Sequence, residues 1–577
     1  MVVARRLLHR VTPRWMARSV GLAWAALLAL DLVARAAYLR PRLVTLRGAL
    51  NYAAAALALW IVVRLVATTR GRVRTCLHIA LITVPVTVQW MVFQSYGAFV
   101  TPTDFAAFGE APRVVLQAAG QASDALGTLV VLAASVATLG LYPRAAKPLG
   151  RLRAAALATV LAGGLALGST YWRASSTLEH PQPAFACAVV GLAKRATVTA
   201  RGEGRVAVPP AEPLAAGVRL PNIVLVVGES LAASHLTIYG YDRPTSPRLQ
   251  ALHDAGELVA MKDAVVMGPH TRTSVPYIMT GLAGPDPSGR VFRAPTVTEY
   301  AKARGYHTAF ISAQEESWGD LDAMLREGAD VFKTGISFAP QVDVLKGSDD
   351  LVMLEKGVLP TLHALAEPFF LVVHMDGSHL PYREHSPPSH KVFPEDGVNS
   401  IGAYDNTIRV TDELLARVHA ALRERDPDAW MFFTSDHGQP LGEGGAFYNH
   451  GYQSNVVRDP LFVLPPAAER SAMRAVADAQ TSACDVAPTI LHLMHTAPAA
   501  NAPMDCADWI AGPPPPRVRV VSAYTPAYLL EPTMLVVLPN GRHEVYDLWR
   551  GTVTGDDGVA RPLAEHTLPR EVAARLP

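Results

Sequence analysis

Five apolar segments follow one another in residues 1–175, and this tandem restricts the chain's possible folds more than any other feature. They run roughly Val20–Ala37, Ala49–Thr68, Cys76–Tyr96, Ala125–Tyr142 and Ala154–Trp172. A helix crossing a bilayer needs about 20 mostly apolar residues, and the first, second and fifth segments sit at the margin of that length. Any single segment reads equally as the core helix of a soluble protein. Five in succession argue for a membrane bundle. Asp31 and Arg64 lie within or at the ends of these segments, so they either snorkel to the interface or face the bundle interior.

Basic residues set the orientation. Arg5, Arg6, Arg10, Arg14 and Arg18, then Arg70, Arg72 and Arg74, then Arg144, Lys147, Arg151 and Arg153 fall on one side if all five segments span. The acidic or sparsely charged loop Gly97–Ser123 falls on the other side; Arg40, Arg42 and Arg47 disagree with this scheme. The majority places the N-terminus in the cytoplasm and everything after Trp172 outside. No cleavage site follows the first segment, so a signal peptide is not expected.

Residues 176–220 read as a connector. Phe185–Val198 suits an interfacial helix with Lys194 and Arg195 on one face, and Val208-Pro-Pro-Ala-Glu-Pro suits a linker. A net charge of +2 over 577 residues gives no electrostatic support for nucleic-acid binding. The cysteines, Cys76, Cys187, Cys484 and Cys506, show no metal-type spacing; Cys484 and Cys506 either bridge in an oxidising compartment or stay as buried thiols.

From Pro221 to the end, residues 221–577, short β-rich runs alternate with helical ones, which predicts an α/β domain whose central sheet is flanked by helices. The expected strands are Asn222–Val227, His307–Ser312, Phe369–His374, Trp430–Ser435, Leu461–Leu464 and Met534–Leu538, with an amphipathic helix over Tyr404–Arg425. In such sheets ligands bind beyond the carboxyl ends of the strands. There stand Glu229, the run His374 to Tyr382 with His379, and Asp436-His437, with a further histidine at His450. Acidic and imidazole groups gathered at one sheet edge suit Zn²⁺, with Mn²⁺ or Mg²⁺ as alternatives. Each also has a plainer reading, as a first-turn acid, a turn or a surface histidine.

The stretch Val266–Gly281 adds hydroxyls, Thr271, Thr273 and Ser274, at the expected start of a helix that Pro276 would enter in its first turn. A helix N-terminus favours developing negative charge, although hydroxyls there are usually caps. A metal-bound hydroxyl loses its proton more readily and becomes a nucleophile, while the metal neutralises charge on an attacked phosphoryl group.

At these residues the chain resembles the inner-membrane phosphoethanolamine transferases of the alkaline phosphatase/sulfatase superfamily. The resemblance is carried by Asn222-Ile-Val-Leu-Val-Val-Gly-Glu229-Ser230 with Tyr239-Gly240-Tyr241-Asp-Arg-Pro-Thr-Ser-Pro247, and by Thr271-Arg-Thr-Ser-Val-Pro276. It continues through Gly377-Ser378-His379-x-Pro381, Ala403-Tyr404-Asp405-Asn406-Thr407, Asp436-His437-Gly438, Leu441-Gly442-Glu443-Gly444 and His450-Gly451. The family pattern places the nucleophilic Thr five residues before the Pro of Ser-Val-Pro, at Thr271, and the sulfatase spacing to Thr280-Gly281 selects the same residue. Sulfatases need Cys or Ser at that position, so sulfate-ester hydrolysis is disfavoured.

The resemblance implies a multi-pass protein of the bacterial inner membrane with a periplasmic sulfatase-like domain. It implies one or two zinc ions, with Glu229, Thr271, Asp436 and His437 as ligands and His379 and His450 binding substrate or a second metal. The implied reaction moves phosphoethanolamine from phosphatidylethanolamine to lipid A, a core sugar or another envelope glycan through a phospho-threonine. The alternatives are a phosphoglycerol transferase using phosphatidylglycerol, or a non-catalytic sulfatase-like membrane protein. The chain departs from the pattern at Gln439-Pro440, where the family has Glu-Ser, and in having at most one periplasmic disulfide.

Overall fold

The structure is a computed structural model describing residues 20–44, 46–96, 99–100, 125–142, 156, 158–164, 180–195, 205–316, 321–339, 342, 347–397, 399–442, 451–524, 532–548 and 551–576. It divides into two compact units, Met1–Thr199 and Ala200–Pro577.

The first unit is helical. Gly48–Ala67 and Gly71–Gln94, of 20 and 24 residues, are long and apolar enough to cross a membrane. Val20–Ala34 and Ala125–Leu141 are shorter apolar helices, so among the described residues two of the five expected spans reach full length. The first segment is broken at Arg35, where a turn separates it from helix Ala36–Leu43. The fourth tightens into a 3-10 turn at Thr138–Leu141 just before Pro143, which cannot continue a helix. The third starts at Gly71 rather than Cys76, which puts Arg72 and Arg74 inside its first turns. The fifth lies largely outside the described residues. Helix Pro181–Arg195 buries Ala184, Cys187 and Ala188 against the helices that end at Ala67 and Tyr96.

Asp31 faces the interior and does not snorkel. It pairs with Arg35 (Nε to Oδ1, 2.7 Å) and accepts from the Tyr52 hydroxyl at 3.1 Å. The Arg35 guanidinium stacks over Phe99, Phe93 and Tyr38, 4.4, 5.1 and 5.4 Å from their centroids. Large apolar side chains such as Leu22, Val33, Leu57 and Leu126 point outward, as a lipid-facing surface requires.

The second unit is built on a seven-stranded mixed sheet. Its strands are β1 (Ile223–Gly228), β2 (Val259–Ala260), β4 (His307–Ser312), β5 (Val331–Lys333), β6 (Phe369–His374), β7 (Trp430–Ser435) and β8 (Phe462–Leu464), in the order β2-β8-β7-β1-β6-β4-β5. β7, β1, β6, β4 and β5 run parallel, while β8 and β2 close one edge with antiparallel pairings. The three central strands are buried along their whole length, as a parallel sheet covered on both faces demands. Their side chains alternate between two cores: Ile223, Leu225, Val227, Phe370 and Phe432 on one face, Val224, Val226, Leu371 and Phe433 on the other.

One expected strand belongs to another sheet, and a short strand before Thr271 stands apart as well. The run predicted as Met534–Leu538 is β11 (Thr533–Val537), in a five-stranded antiparallel sheet with β10 (Arg519–Ser522), β12 (His543–Asp547), β13 (Thr552–Gly555) and β14 (Ala560–Pro562). Asn540-Gly541 between β11 and β12 is a hairpin signal, with Gly541 at φ 81°, and it marks an antiparallel pair. The run preceding Thr271 is β3 (Asp263–Val265), which forms a two-stranded sheet with β9 (Gln480–Ser482) and a single bridge from Val265 to Arg458. The long helix α2 (Ile401–Arg425) follows the shorter helix α1 (Thr271–Thr280) and begins three residues before the expected Tyr404, because Ser400 caps it by accepting from Ala403 N–H.

Candidate active site

Register explains why the acidic residues meet. Gly228 of β1 pairs with Ser435 of β7, so the next residues, Glu229 and Asp436, leave neighbouring strands side by side. On the other flank Val227 pairs with His374 at the end of β6. The chain after β6 then closes over Glu229: Ser378 N–H donates to the Glu229 carbonyl at 3.0 Å, and Gly377, at φ 52°, packs so closely that an added Cβ would lie 2.8 Å from that oxygen.

Thr271 is the first residue of α1, and its Oγ1 donates to Glu229 Oε2 at 3.1 Å. The other hydroxyls turn away from the site. Thr273 Oγ1 donates to the His270 carbonyl at 2.9 Å and Ser274 Oγ accepts from Met267 N–H at 3.3 Å, so both hold the helix start together. Pro276 lies in the second turn of α1, not the first. The helix begins earlier than the proline suggested, because His270 and Thr273 form a capping box ahead of it.

Glu229, Asp436 and His437 are all buried, with one ligand atom each within 4.8 Å of the others. Asp436 Oδ1 accepts from Ser230 N–H (3.0 Å) and His437 N–H (2.6 Å), whereas among the described residues Oδ2 takes no well-formed hydrogen bond and lies 3.3 Å from His437 Nε2. His437 Nδ1 donates to the Gly438 carbonyl at 2.8 Å, which orients the ring with Nε2 toward the carboxylates. Gly438 is required, since an added Cβ would fall 1.8 Å from the Asn455 carbonyl oxygen.

Two buried carboxyls this close resist joint ionisation. Burial and the Glu229 charge push Asp436 well above the usual carboxylate range. Burial also acts upward on Glu229, but His437, His379, the Ser230 hydroxyl and the neighbouring Asp436 carboxyl outweigh it and hold it at about 2. A buried carboxylate oxygen without a donor, beside a second carboxylate and an inward imidazole nitrogen, is a donor set that fits a divalent cation. The other His/Cys/acid cluster among the described residues, at Cys484, Asp485 and Cys506, differs because its cysteines form a disulfide.

His379 is half-buried with Nδ1 committed to the Leu380 carbonyl at 2.7 Å; it is near enough to lower the Glu229 pKa but is not part of the three-residue cluster. His450 lies outside the described residues.

Gln314 escaped the reading of the sequence, while His374, Ser230 and Asp405 stood in its motifs without a role of their own. Gln314, just past β4, donates from Nε2 to Glu229 Oε2 at 3.0 Å. Its position beyond a strand's carboxyl end was the available signal. His374 pairs through Nδ1 with buried Glu316 at 2.5 Å; burial lowers its pKa but the Glu316 charge prevails and raises it to about 9. Ser230, at φ 57°, donates from Oγ to Glu229 Oε1 and gives its carbonyl to the Tyr404 hydroxyl (2.7 Å). That contact gives Ala403–Thr407 a supporting role. Asp405, fully buried, receives His235 (2.8 Å), Tyr241 (3.0 Å) and Arg243 (2.7 Å), which explains the Gly-Tyr-Asp-Arg run.

The family model described as Sulfatase matches residues 221–496. The chain is 27% identical over 254 residues to the phosphoethanolamine transferase EptA of Helicobacter pylori, covering 42% of this chain and 46% of that protein. It is 25% identical over 259 residues to the Kdo(2)-lipid A phosphoethanolamine 7''-transferase of Salmonella typhimurium, covering 42% and 43%. The matched region thus spans less than half the length of these curated relatives. The solved integral membrane lipooligosaccharide phosphoethanolamine transferase A from Neisseria meningitidis shares the fold, with a TM-score of 0.62 at 18% identity over 83% of this chain and 95% of that one. The resemblance to phosphoethanolamine transferases of the alkaline phosphatase/sulfatase superfamily is borne out by these likenesses.

Proposed function

We propose, with the likeness to phosphoethanolamine transferases as premise, that the chain moves phosphoethanolamine from phosphatidylethanolamine to an envelope acceptor, lipid A, a core sugar or another glycan. The observation that carries this reading is the contact of Thr271 Oγ1 with Glu229 Oε2 at a helix N-terminus, beside Asp436 and His437. In the first step Thr271 Oγ bonds to phosphorus, the bond to the diacylglycerol oxygen breaks, and diacylglycerol leaves with a proton. In the second an acceptor hydroxyl oxygen bonds to phosphorus, the bond to Thr271 Oγ breaks, and the acceptor's proton restores the Thr271 hydroxyl. The amide end of α1 lies where negative charge develops on the phosphoryl oxygens. Glu229, at about 2, is too weak a base to take the Thr271 proton unaided. Zn²⁺ held by Glu229, Thr271, Asp436 and His437, one or two ions, with Mn²⁺ or Mg²⁺ as alternatives, would ease that deprotonation and offset phosphoryl charge. His379 and His450 are assigned to substrate or a second metal.

Residues 1–175 are taken as a five-span anchor in the bacterial inner membrane, 176–220 as the connector and 221–577 as the periplasmic catalytic domain, with the N-terminus cytoplasmic. The Cys484–Cys506 disulfide supports an oxidising compartment for that domain. Incubation of the purified chain with fluorescent phosphatidylethanolamine and, separately, phosphatidylglycerol tests the donor. Diacylglycerol release from the former, with a phosphoethanolamine adduct in the intact mass, is expected; Thr271→Ala and chelator should each abolish both. Release only from phosphatidylglycerol would replace the headgroup, and release that survives Thr271→Ala would remove the nucleophile.

A further inference from the structure

Ser230 Oγ carries one proton and has two polar neighbours, Glu229 Oε1 and Gln439 Nε2 at 3.0 Å. An ionised Glu229 only accepts, so Ser230 donates to it. The second neighbour must then donate to Ser230, and the Gln439 amide does so. Turned over, that amide would set two acceptors against one proton. Gln439 is 2% exposed, and in the orientation found its Oε1 has no hydrogen-bond partner among the described residues. The amide therefore serves Ser230 at the expense of its own carbonyl. Ser230 is itself fixed on every side, with its N–H on Asp436, its carbonyl on Tyr404 and its backbone in the left-handed region.

We propose that Gln439 is a positioning residue. By donating to Ser230 Oγ it keeps the Ser230 proton on Glu229 Oε1, which fixes the carboxylate with Oε2 toward Thr271. The inference rests on the reading of Glu229 as a cation ligand. It differs from a packing role because Gln439 acts only through Ser230.

The full-length chain in detergent, stripped of metal, is titrated with zinc alone in competition with a chromophoric chelator. Gln439→Leu should weaken zinc by about 10-fold or more, the scale of lost outer-shell partners. Ser230→Ala should weaken it at least as much, and the double variant no further than Ser230→Ala. Gln439→Met keeps the side-chain length and serves if the Leu variant folds poorly, as judged by metal-free unfolding. Zinc affinity within about twofold of wild type in Gln439→Leu or Gln439→Met, or losses that multiply in the double variant, would overturn this inference alone. A wild-type chain that takes up no zinc would overturn the metal reading and this inference with it.

Discussion

The chain buries charge in two places, and the two are solved differently. In the membrane-type unit Asp31 faces a guanidinium 2.7 Å away, a tyrosine hydroxyl and a cage of aromatic rings. In the sulfatase-like unit Glu229 and Asp436 face each other, with the His437 Nε2 also turned inward. The first cluster meets its acid with a guanidinium. The second leaves the Asp436 carboxyl against the Glu229 charge. Burial by itself is therefore a poor guide to function; a buried charge whose neighbours repel it marks the place where a ligand completes the site.

Neutralising one acid in each cluster should have opposite consequences. Asp31→Asn leaves the Arg35 charge buried without its counterion and should cost about 3–5 kcal/mol in thermal unfolding of the detergent-solubilised chain, with zinc affinity unchanged. A smaller and inverse effect is expected at the other site. Asp436→Asn keeps an acceptor for Ser230 and His437 N–H but removes the repulsion with Glu229. Metal-free stability should hold or rise by about 1 kcal/mol, while zinc affinity falls on the order of 100-fold. Matched losses of stability in both variants would erase the distinction between the clusters.

The pH dependence of the metal-free chain sharpens the comparison further. Burial, and for Asp436 the Glu229 charge, raises Asp436; burial raises Asp459 to about 7, and burial with the Asp376 charge brings Asp350 to about 7. These groups hold protons in the folded state that the unfolded chain releases near pH 4, so stability falls as pH rises through that window. His374, raised to about 9, contributes in full at low pH and loses its contribution as pH rises through 9. Glu229, held at about 2, acts the other way, and only below its ordinary value. Urea midpoints should thus be higher at pH 5 than at pH 7.5 without metal. Zinc should narrow or reverse the gap, since it binds the ionised carboxyls. A midpoint that rises toward pH 7.5 in the metal-free chain would contradict the assignment of Asp436.

How far the site was legible follows from the kind of residue. Glu229, Asp436 and His437 stand just after strands that their apolar runs declare, so position and chemistry coincide. Ser230, Gln314 and Gln439 carry no titratable group and have no periodic spacing, and they become site residues only because β1, β4 and β7 end together. Thr273 and Ser274 match Thr271 in composition. Their hydrogen bonds back to the His270–Met267 turn, not their identity, take them out of the reaction.

The sequence alone determined that the chain has an apolar helical half and an α/β half, where the central strands lie, and which acids and imidazoles follow them. Alternation and hydrophobic run length are local properties, so they survive in one dimension. Tertiary structure decided which strands share a sheet, placing β11 and β3 elsewhere. It decided that Asp31 pairs inward, and that the acids at the ends of β1 and β7 meet side by side in a buried site. Those outcomes depend on register and on partners far apart in the chain, with Glu229 and Asp436 adjacent only because Gly228 pairs with Ser435.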